Sequence, residues 1–388
     1  MEYAGLEDPS SHFDKLNDIG SEALSARRDE NRRKNQKESR PPKTWKAQDV
    51  VKMIGKSKSW LLNNDPDVPR DAQNHGVWDL ERIEWLREIA GTTYRRPEGS
   101  APFIMAWAKL KGGVGNTTAA AHAAHYFAMM GLRVLFIDLD PQATGTAALG
   151  GYNPDIELEE DDLPIHALLN EPESFKYSVK PTYFHNVFLV PASGLLRNLE
   201  VDLEFQSLRP DQFPIDANGE PIPTHNRLSA ALEDIKDDFD AIIIDCPPKI
   251  DKMSMNALGA ADTLINVLRP SGADVGSYNQ LCGSLAHYYD QLPKPLRYFR
   301  VLLSQFKEDG ASLKEEKFMK SWVGEYMMLN KIKHNVEISR SIGVLHTVFS
   351  LYKPESSRQA YNYGVETMES VFKEMLADMK TIWAEEAE

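Results

Sequence analysis

The chain has 388 residues, of which 42% are hydrophobic and 26% charged, so two or three domains with buried cores are expected and wholesale disorder is excluded. It carries 44 Lys and Arg against 58 Asp and Glu, which excludes a protein that coats nucleic acid with its whole surface. Two cysteines, Cys246 and Cys282, are too few for a disulfide scaffold or a Cys-rich metal cluster. No run reaches the ~20 apolar residues of a membrane span, and the acidic N-terminus has no signal-peptide features. We therefore expect a cytoplasmic protein without membrane contact.

Residues 1–40 are polar and are predicted to form an N-terminal helical and basic arm. The segment from position 27 to position 46 contains nine basic residues and three acidic ones. Before them, apolar residues such as Phe13, Leu16 and Ile19 could form a short amphipathic helix. Three interpretations are open, namely a solvated arm, a contact with a second copy of the chain, and direct contact with DNA.

Residues 41–93 have the pattern of a small DNA-binding domain. A helix is predicted over 44–54, Gly55 provides a turn, and Ser57 caps a second helix, which is the spacing of a helix-turn-helix. Residues 74–76 are predicted to be the tip of a wing, followed by a helix over 79–89. This order resembles winged helix-turn-helix domains of the MerR kind; the alternative is a helical protein-interaction module. The residues predicted to contact DNA here are Lys56, Lys58, Ser59, Arg70 and His75.

Residues 94–102 contain Pro and Gly and are predicted to be a linker, and residues 103–388 then change character. Six short apolar runs alternate with helical stretches beginning near 117, 146, 228, 254, 277 and 313. Such alternation predicts an α/β fold with a parallel, doubly wound sheet. Two insertions, 155–162 and 209–224, are predicted to be surface loops, and 366–388 an amphipathic terminal helix.

A glycine-rich loop, KGGVGNTT at 111–118, lies between the first apolar run and an Ala-rich helix. Glycines allow backbone N–H groups to converge on an anion, and the start of the helix adds its positive dipole end. Thr117 is placed to bind Mg²⁺ through its hydroxyl, and Thr118 could donate to an adjacent phosphate. The order of strand, loop, Thr pair and helix predicts a phosphate-binding site.

Acidic residues end two further apolar runs. Asp138 and Asp140 occur in the segment DLDPQ, and Asp245 occurs in DCPP. Ligands of open α/β sheets bind at the carboxyl edge, and the Mg²⁺ of a nucleotide needs acids there. The predicted metal site therefore consists of Thr117, Asp138 and Asp245.

These residues resemble the ParA family of plasmid and chromosome partition ATPases, whose motifs are KGGxGK[ST][ST], DxDPQ and DxPP. From about Trp45 onward the chain resembles the RepA partition proteins of RepABC-type operons, including LHTVFSLY at 345–352. The resemblance implies a deviant P-loop (SIMIBI) fold, ATP or ADP and Mg²⁺ as cofactors, and a homodimer. It also implies DNA binding, a ParB-type centromere-binding partner, repression of the chain's own operon and association with the nucleoid.

The resemblance also implies roles for individual residues. Lys111 would be the signature lysine that reaches the phosphates of the other subunit, and Asp140 would orient the attacking water. Pro270 lies where the family contacts adenine, and Lys333 and Arg340 are candidates for nonspecific DNA contacts. The predicted nucleotide-binding residues are Gly112, Gly113, Val114, Gly115, Asn116, Thr117, Thr118 and Pro270.

One position departs from the family pattern, because Asn116 stands where the family has a lysine. An Asn amide can donate a hydrogen bond but brings no charge to the β- and γ-phosphates. Since stabilisation of charge is the main catalytic factor in phosphoryl transfer, we expect ATP binding with slow or absent hydrolysis. The favoured function is an ATP-dependent DNA segregation protein. The alternative is a nucleotide-sensing repressor without turnover. A septum-positioning or metal-cluster ATPase is disfavoured by the acidic tail and the few cysteines.

Overall fold

The computed structural model describes residues 15–16, 19–20, 23, 42–292 and 294–388. The predictions made for residues 1–40 therefore lie almost entirely outside the described residues. No helix in the described part of the chain is both long and apolar enough to cross a membrane.

A seven-stranded sheet forms the centre of the molecule, in the order β5-β6-β4-β7-β3-β8-β9. All neighbouring pairs are parallel except the edge pair β5–β6, which is antiparallel. The six predicted strands are all present, and the predicted fold class is confirmed. The strands of this sheet are β3 (Phe103–Ala108), β4 (Val134–Asp138), β5 (Lys180–Pro181), β6 (Val187–Val190), β7 (Ala241–Asp245), β8 (Thr263–Leu268) and β9 (Tyr298–Leu303).

The central strands are continuous apolar runs because helices cover both faces of the sheet. Every residue of β4, β7 and β8 is buried. Alternate residues face opposite sides, so that Ile243 belongs to one hydrophobic cluster while Ile242 and Ile244 belong to the other. This arrangement places the carboxyl ends of six neighbouring parallel strands at one edge.

The helices begin at or a few residues before their predicted starts. The last helix is longer than predicted, since it begins at Arg358, and the apolar residues of its amphipathic part, from Met368 to Met379, are buried. The helices of the sheet domain are α4 (Asn116–Met129), α5 (Thr144–Gly150), α6 (Pro154–Glu157), α7 (Ile165–Leu169), α8 (Leu196–Ser207), α9 (Arg227–Leu232), α10 (Lys252–Ala260), α11 (Gly272–Gln291), α12 (Gly310–Val323), α13 (Val336–Gly343) and α14 (Arg358–Glu386).

The two insertions differ from the predicted loops in detail. Residues 155–162 are not simply a loop, because α6 and a 3₁₀ turn at Glu160–Asp162 occupy most of them. Residues 209–224 are largely exposed and irregular, with a 3₁₀ turn at Pro210–Gln212.

The N-terminal elements follow the predicted order with one correction. They are β1 (Trp45–Lys46), α1 (Ala47–Ile54), α2 (Lys58–Asn64), β2 (Val77–Trp78) and α3 (Leu80–Ala90). The first helix begins at Ala47 rather than Thr44, because Trp45 and Lys46 pair with β2 as a short antiparallel ribbon. Gly55 adopts φ 67° at the turn, and the Ser57 hydroxyl accepts a hydrogen bond from the Trp60 N–H, as a helix cap does.

These N-terminal elements pack directly on the sheet domain. Apolar residues such as Ile54 and Leu86 belong to the same hydrophobic cluster as α4 and α14. The buried Arg87 of α3 donates from Nε to the Met53 carbonyl (3.2 Å) and from Nη2 to the Met129 carbonyl (2.8 Å). One guanidinium thus satisfies carbonyl groups near the ends of α1 and α4.

Arg87→Met is expected to lower the free energy of unfolding by about 2 kcal/mol, because it leaves two carbonyl groups near helix ends without their donor. Urea unfolding at pH 7 measures this change. The matched control is Arg95→Met, since Arg95 is 66% exposed in its pair with Glu88 and is expected to change stability by less than about 0.5 kcal/mol. Equal losses in the two variants would contradict the prediction.

Candidate nucleotide site

Three loops meet at the carboxyl edge of the sheet. The loop at 111–118 follows β3, while β4 and β7 end in Asp138 and Asp245. Register pairs Asp245 with Trp107 on one side and with Asp138 on the other. The structure thus brings Asp138 and Asp245 to the edge of the sheet that carries the glycine loop.

The glycine loop has the backbone that its sequence predicts. Gly113 and Gly115 adopt φ values of 74° and 87°, which residues with a Cβ rarely adopt. Gly115 is also the N-cap of α4. Two residues that the sequence analysis missed hold this loop from the end of β9. The Gln305 Nε2 donates to the Gly113 carbonyl (2.8 Å), and the Ser304 hydroxyl donates to the Val114 carbonyl.

The first residues of α4 bind Asp245, which is fully buried. The Thr117 hydroxyl donates to Asp245 Oδ2 (2.5 Å), and Asn116 Nδ2 donates to Asp245 Oδ1 (2.8 Å) and to the Trp107 carbonyl (2.9 Å). Burial raises the pKa of the Asp245 carboxyl, while the nearby Lys109 ammonium and these donors oppose that shift. Asn116 is therefore part of the site through a neutral donor.

Lys109 is a residue of this site that the sequence analysis missed. It follows β3 directly, is 7% exposed, and its Nζ lies 3.4 Å from Asp140 Oδ2 and 3.7 Å from Asp245 Oδ1. Burial lowers the pKa of Lys109, but the Asp245 and Asp140 carboxylates outweigh that effect and the net shift is upward. The ammonium is therefore a buried charge beside the glycine loop. The sequence signal that could have identified Lys109 as a site residue is its position at the end of a strand, two residues before Lys111.

Asp138 is held by its own loop. Its carboxylate accepts hydrogen bonds from the Thr146 N–H (2.7 Å), the Thr146 hydroxyl (2.8 Å) and the Asp140 N–H (3.1 Å). Burial and the neighbouring Asp245 carboxylate raise its pKa above the ordinary value. Asp138 thus shapes the loop that carries Asp140, whose Oδ1 accepts from the Gln142 N–H (3.0 Å).

The donor set fits a magnesium ion bound together with phosphate groups. Thr117, Asp138, Asp140 and Asp245 offer only oxygen ligands, which Mg²⁺ prefers. No group of three or more His, Cys, Asp or Glu side chains in the described part of the chain is arranged to hold a metal by itself. Since Mg²⁺ usually keeps waters and phosphate oxygens among its ligands, this sparse set is the kind expected at a nucleotide site.

Lys111 makes an ion pair beside the loop. Its Nζ lies 2.9 Å from Asp274 Oδ1, while Asp274 Oδ2 accepts from Arg269 Nε (2.9 Å) and from the Ser271 hydroxyl (2.6 Å). Burial would raise the pKa of Asp274, but these donors outweigh it and the pKa is lowered. Pro270 is half-buried in the loop between β8 and α11 that carries Arg269 and Ser271.

The predicted DNA-contacting residues are exposed or half-buried and form two separate groups. Five lie in the N-terminal elements, and there Arg70 donates to the Asn74 carbonyl (3.0 Å) at the predicted wing tip. In the second group, Lys333 pairs with Glu308 (2.7 Å), and Arg340 is exposed on α13. Lys333 forms a β-bridge with Phe306, the residue after Gln305, which holds the glycine loop.

Comparisons with known proteins agree with this geometry. A family model described as an AAA domain matches residues 103–296. A replication protein A of Rhizobium rhizogenes is 26% identical over 362 residues, 88% of each chain. Protein SopA of Escherichia coli K12 is 27% identical over 330 residues, 81% of this chain and 80% of SopA. The sporulation initiation inhibitor protein Soj of Bacillus subtilis is 27% identical over 281 residues, 71% of this chain and 98% of Soj.

Solved structures share the fold. An ATP complex of McdA from Cyanothece has a TM-score of 0.56 at 21% identity, covering 71% of this chain and 97% of McdA. Cobyrinic acid a,c-diamide synthase from Mycobacterium smegmatis with bound ADP and magnesium has a TM-score of 0.51 at 24% identity, covering 63% of this chain and 91% of that chain. The family model, which matches half of the chain, shows that this chain belongs to the AAA-domain family, as a homologue of the ParA/Soj/SopA-type partition ATPases.

Proposed function

We propose that this chain is an ATP-dependent DNA segregation protein. In this proposal two subunits enclose two Mg-ATP molecules at the carboxyl edges of their sheets, and the closed dimer binds DNA and a ParB-type partner. The observation that carries the proposal is the convergence of the glycine loop and Asp245, joined by the 2.5 Å hydrogen bond from the Thr117 hydroxyl. The protein would act in the cytoplasm, on the nucleoid.

The loop at 111–118 is the proposed cradle for the phosphates. Its glycines at positive φ and the N-terminus of α4 favour an anion at this place. Thr117 and Asp245 would hold Mg²⁺, directly or through water, with Asp138 supporting the loop of the water-orienting Asp140. Pro270 would contact the adenine from the loop after β8.

Lys111 is the proposed contact between the subunits. Its side chain is 37% exposed, and its partner Asp274 belongs to the same chain. In the closed dimer the ammonium would exchange this carboxylate for a phosphate of the other subunit. ATP would favour the closed dimer because it binds that state more tightly than the open one.

We propose that hydrolysis is slow compared with binding. Asn116 brings no charge to the transferring phosphate from within the glycine loop, where the family pattern has a lysine. Stabilisation of the charge that develops on the transferring phosphoryl group is the main catalytic factor in this chemistry. The neutral side chain therefore reduces turnover more than it reduces affinity.

The N-terminal elements are the proposed sequence-specific DNA-binding domain. Helix α2 presents exposed Lys58 and Ser59, while Leu61 on its other side is fully buried. These are the positions expected of a recognition helix. Bound to its own operator, the domain would repress the operon. Lys56, Arg70 and His75 would add contacts beside the helix and at the wing.

A second candidate function is a nucleotide-sensing repressor without turnover. Asn116 favours this function, because its neutral amide donates a hydrogen bond to Asp245 and brings no positive charge to the phosphates. The two candidates differ in whether nucleotide changes the oligomeric state and whether phosphate is released.

The deciding experiment measures mass by size-exclusion chromatography with light scattering in ATP, ADP and no nucleotide, together with phosphate release. The proposed function predicts a dimer with ATP and Mg²⁺ and slow release that a ParB-type partner stimulates. A dimer in every condition without release supports the repressor. Absence of calorimetric heat with any adenine nucleotide and Mg²⁺ would refute both nucleotide-dependent functions.

A further inference from the structure

We propose that Lys109 supplies, from the end of β3, the positive charge that Asn116 does not bring to the nucleotide phosphates. This inference rests on the proposed function, since it concerns how the same site binds ATP. Lys109 lies outside the glycine loop and would contact a phosphate directly.

The position of the Lys109 ammonium is the first argument. Its Nζ lies 3.3 Å from the Thr117 hydroxyl, 3.4 Å from Asp140 Oδ2 and 3.7 Å from Asp245 Oδ1. Thr117 is in the first turn of α4, where the loop would hold phosphate. The charge is therefore within one hydrogen bond of the proposed phosphate and metal ligands.

The contacts of Asn116 are the second argument. Asn116 Nδ2 and Lys109 Nζ approach the same atom, Asp245 Oδ1, at 2.8 and 3.7 Å. A side chain at either position can thus reach the same carboxylate oxygen. The Asn116 Oδ1 is buried and has no hydrogen-bond partner among the described residues, so the amide is only partly satisfied.

Energetics favour a role in binding over a purely structural ion pair. Burying an ammonium group costs free energy, and the attraction of a buried carboxylate often does no more than offset that cost. A buried ion pair by itself therefore adds little to stability. The same charge beside a phosphate makes charge-assisted hydrogen bonds to a multiply charged anion. On ATP binding, the ammonium would exchange a carboxylate for a phosphate oxygen, leaving the carboxylate to the metal.

The proposal makes positions 109 and 116 interchangeable as sources of one charge. A variant with lysine at both positions would place two ammonium groups against Asp245 Oδ1. A variant with lysine at neither position would lack this cation beside Asp140 and Asp245. The effects of the single substitutions should therefore not add, and exchanging the two residues should largely cancel them.

The test uses Lys109→Asn, Asn116→Lys and the double exchange in the full chain. ATP affinity with Mg²⁺ is measured by titration with a fluorescent ATP analogue, and the apo melting temperature is measured separately. We expect Lys109→Asn to weaken ATP about ten- to hundredfold, the loss of one charge-assisted contact. Asn116→Lys should lower the apo melting temperature without tightening ATP. The exchange should bind ATP within about threefold of the natural chain.

Two controls separate the outcomes. Lys314→Asn, at an exposed position of α12, should leave ATP affinity unchanged. If Lys109→Asn does not fold, the exchange variant decides. A folded Lys109→Asn with natural affinity overturns the proposal, because its role would then be structural. An exchange variant that does not fold or does not bind also overturns it. Failure of the natural chain to bind any nucleotide refutes the proposed function instead.

Discussion

Replacing Asp245 with asparagine is expected to abolish the tightening of nucleotide binding by magnesium. Asp245 is fully buried at the end of β7 and accepts hydrogen bonds from Thr117 and Asn116. An asparagine can preserve part of this geometry, but it removes the negative charge that attracts the ion. The change in metal affinity is expected to be about ten- to hundredfold, whether Asp245 binds the ion directly or through water.

The same substitution should also lower stability, because Asp245 is a counter-charge for Lys109. Asp140, at 3.4 Å from the ammonium, would remain as a carboxylate partner. Breaking a buried ion pair on one side leaves an uncompensated charge, so we expect a loss of about 3 kcal/mol in the free energy of unfolding.

Nucleotide titrations with Mg²⁺ and with EDTA measure the first effect, and urea unfolding without nucleotide measures the second. Asp290→Asn, at an exposed position of α11, is the matched control and should change neither quantity. An Asp245→Asn protein that retains the full difference between Mg²⁺ and EDTA would remove Asp245 from the metal site.

The strands and the glycine loop could be predicted because their signals are local. A buried parallel strand is a continuous apolar run, as in AIIID at 241–245, and the acids follow directly from those runs. The loop at 111–118 carries its own glycines, and positive φ at Gly113 and Gly115 requires them. In each case the residues that decide the structure are neighbours in sequence.

The remaining parts of the site depend on contacts between distant segments. Ser304 and Gln305 hold the glycine loop from almost 200 residues away, and nothing in their local sequence indicates it. Lys109 was missed because a lysine after a strand is usually solvated, whereas here the side chain is buried and its ammonium contacts Thr117, Asp140 and Asp245. The pairing of Trp45 with Trp78 was missed because two-residue strands have no periodicity to detect.

Helix α4 connects the nucleotide site with the N-terminal elements. It begins at Asn116, beside Asp245, and near its other end the Met129 carbonyl accepts a hydrogen bond from Arg87. The same guanidinium contacts the Met53 carbonyl of α1, which precedes the proposed recognition helix. The two proposed activities are therefore joined through one helix, although the predicted linker of residues 94–102 separates them in sequence.

Lys111→Gln is expected to weaken the ATP-dependent dimer by about thirtyfold to a thousandfold, the range for removing a charged partner from a buried interface contact. Binding of ATP to one subunit should change much less, because Lys111 pairs with Asp274 of its own chain rather than with the groups around Thr117. Sedimentation or light scattering over a range of protein concentrations gives the dimer constant. Lys314→Gln, on the exposed side of α12, is the matched control.

Asp274→Asn should have the opposite sign. Asp274 is 1% exposed and holds Lys111 and Arg269, so a neutral amide would release the lysine for the partner's phosphate. We expect the dimer to tighten by about three- to tenfold. This range corresponds to the free energy of a partly exposed ion pair, which in this variant no longer competes with the contact between the subunits. If both variants weaken the dimer equally, the Lys111–Asp274 pair stabilises the loop and does not compete with dimer formation. If neither changes it, Lys111 does not cross the interface.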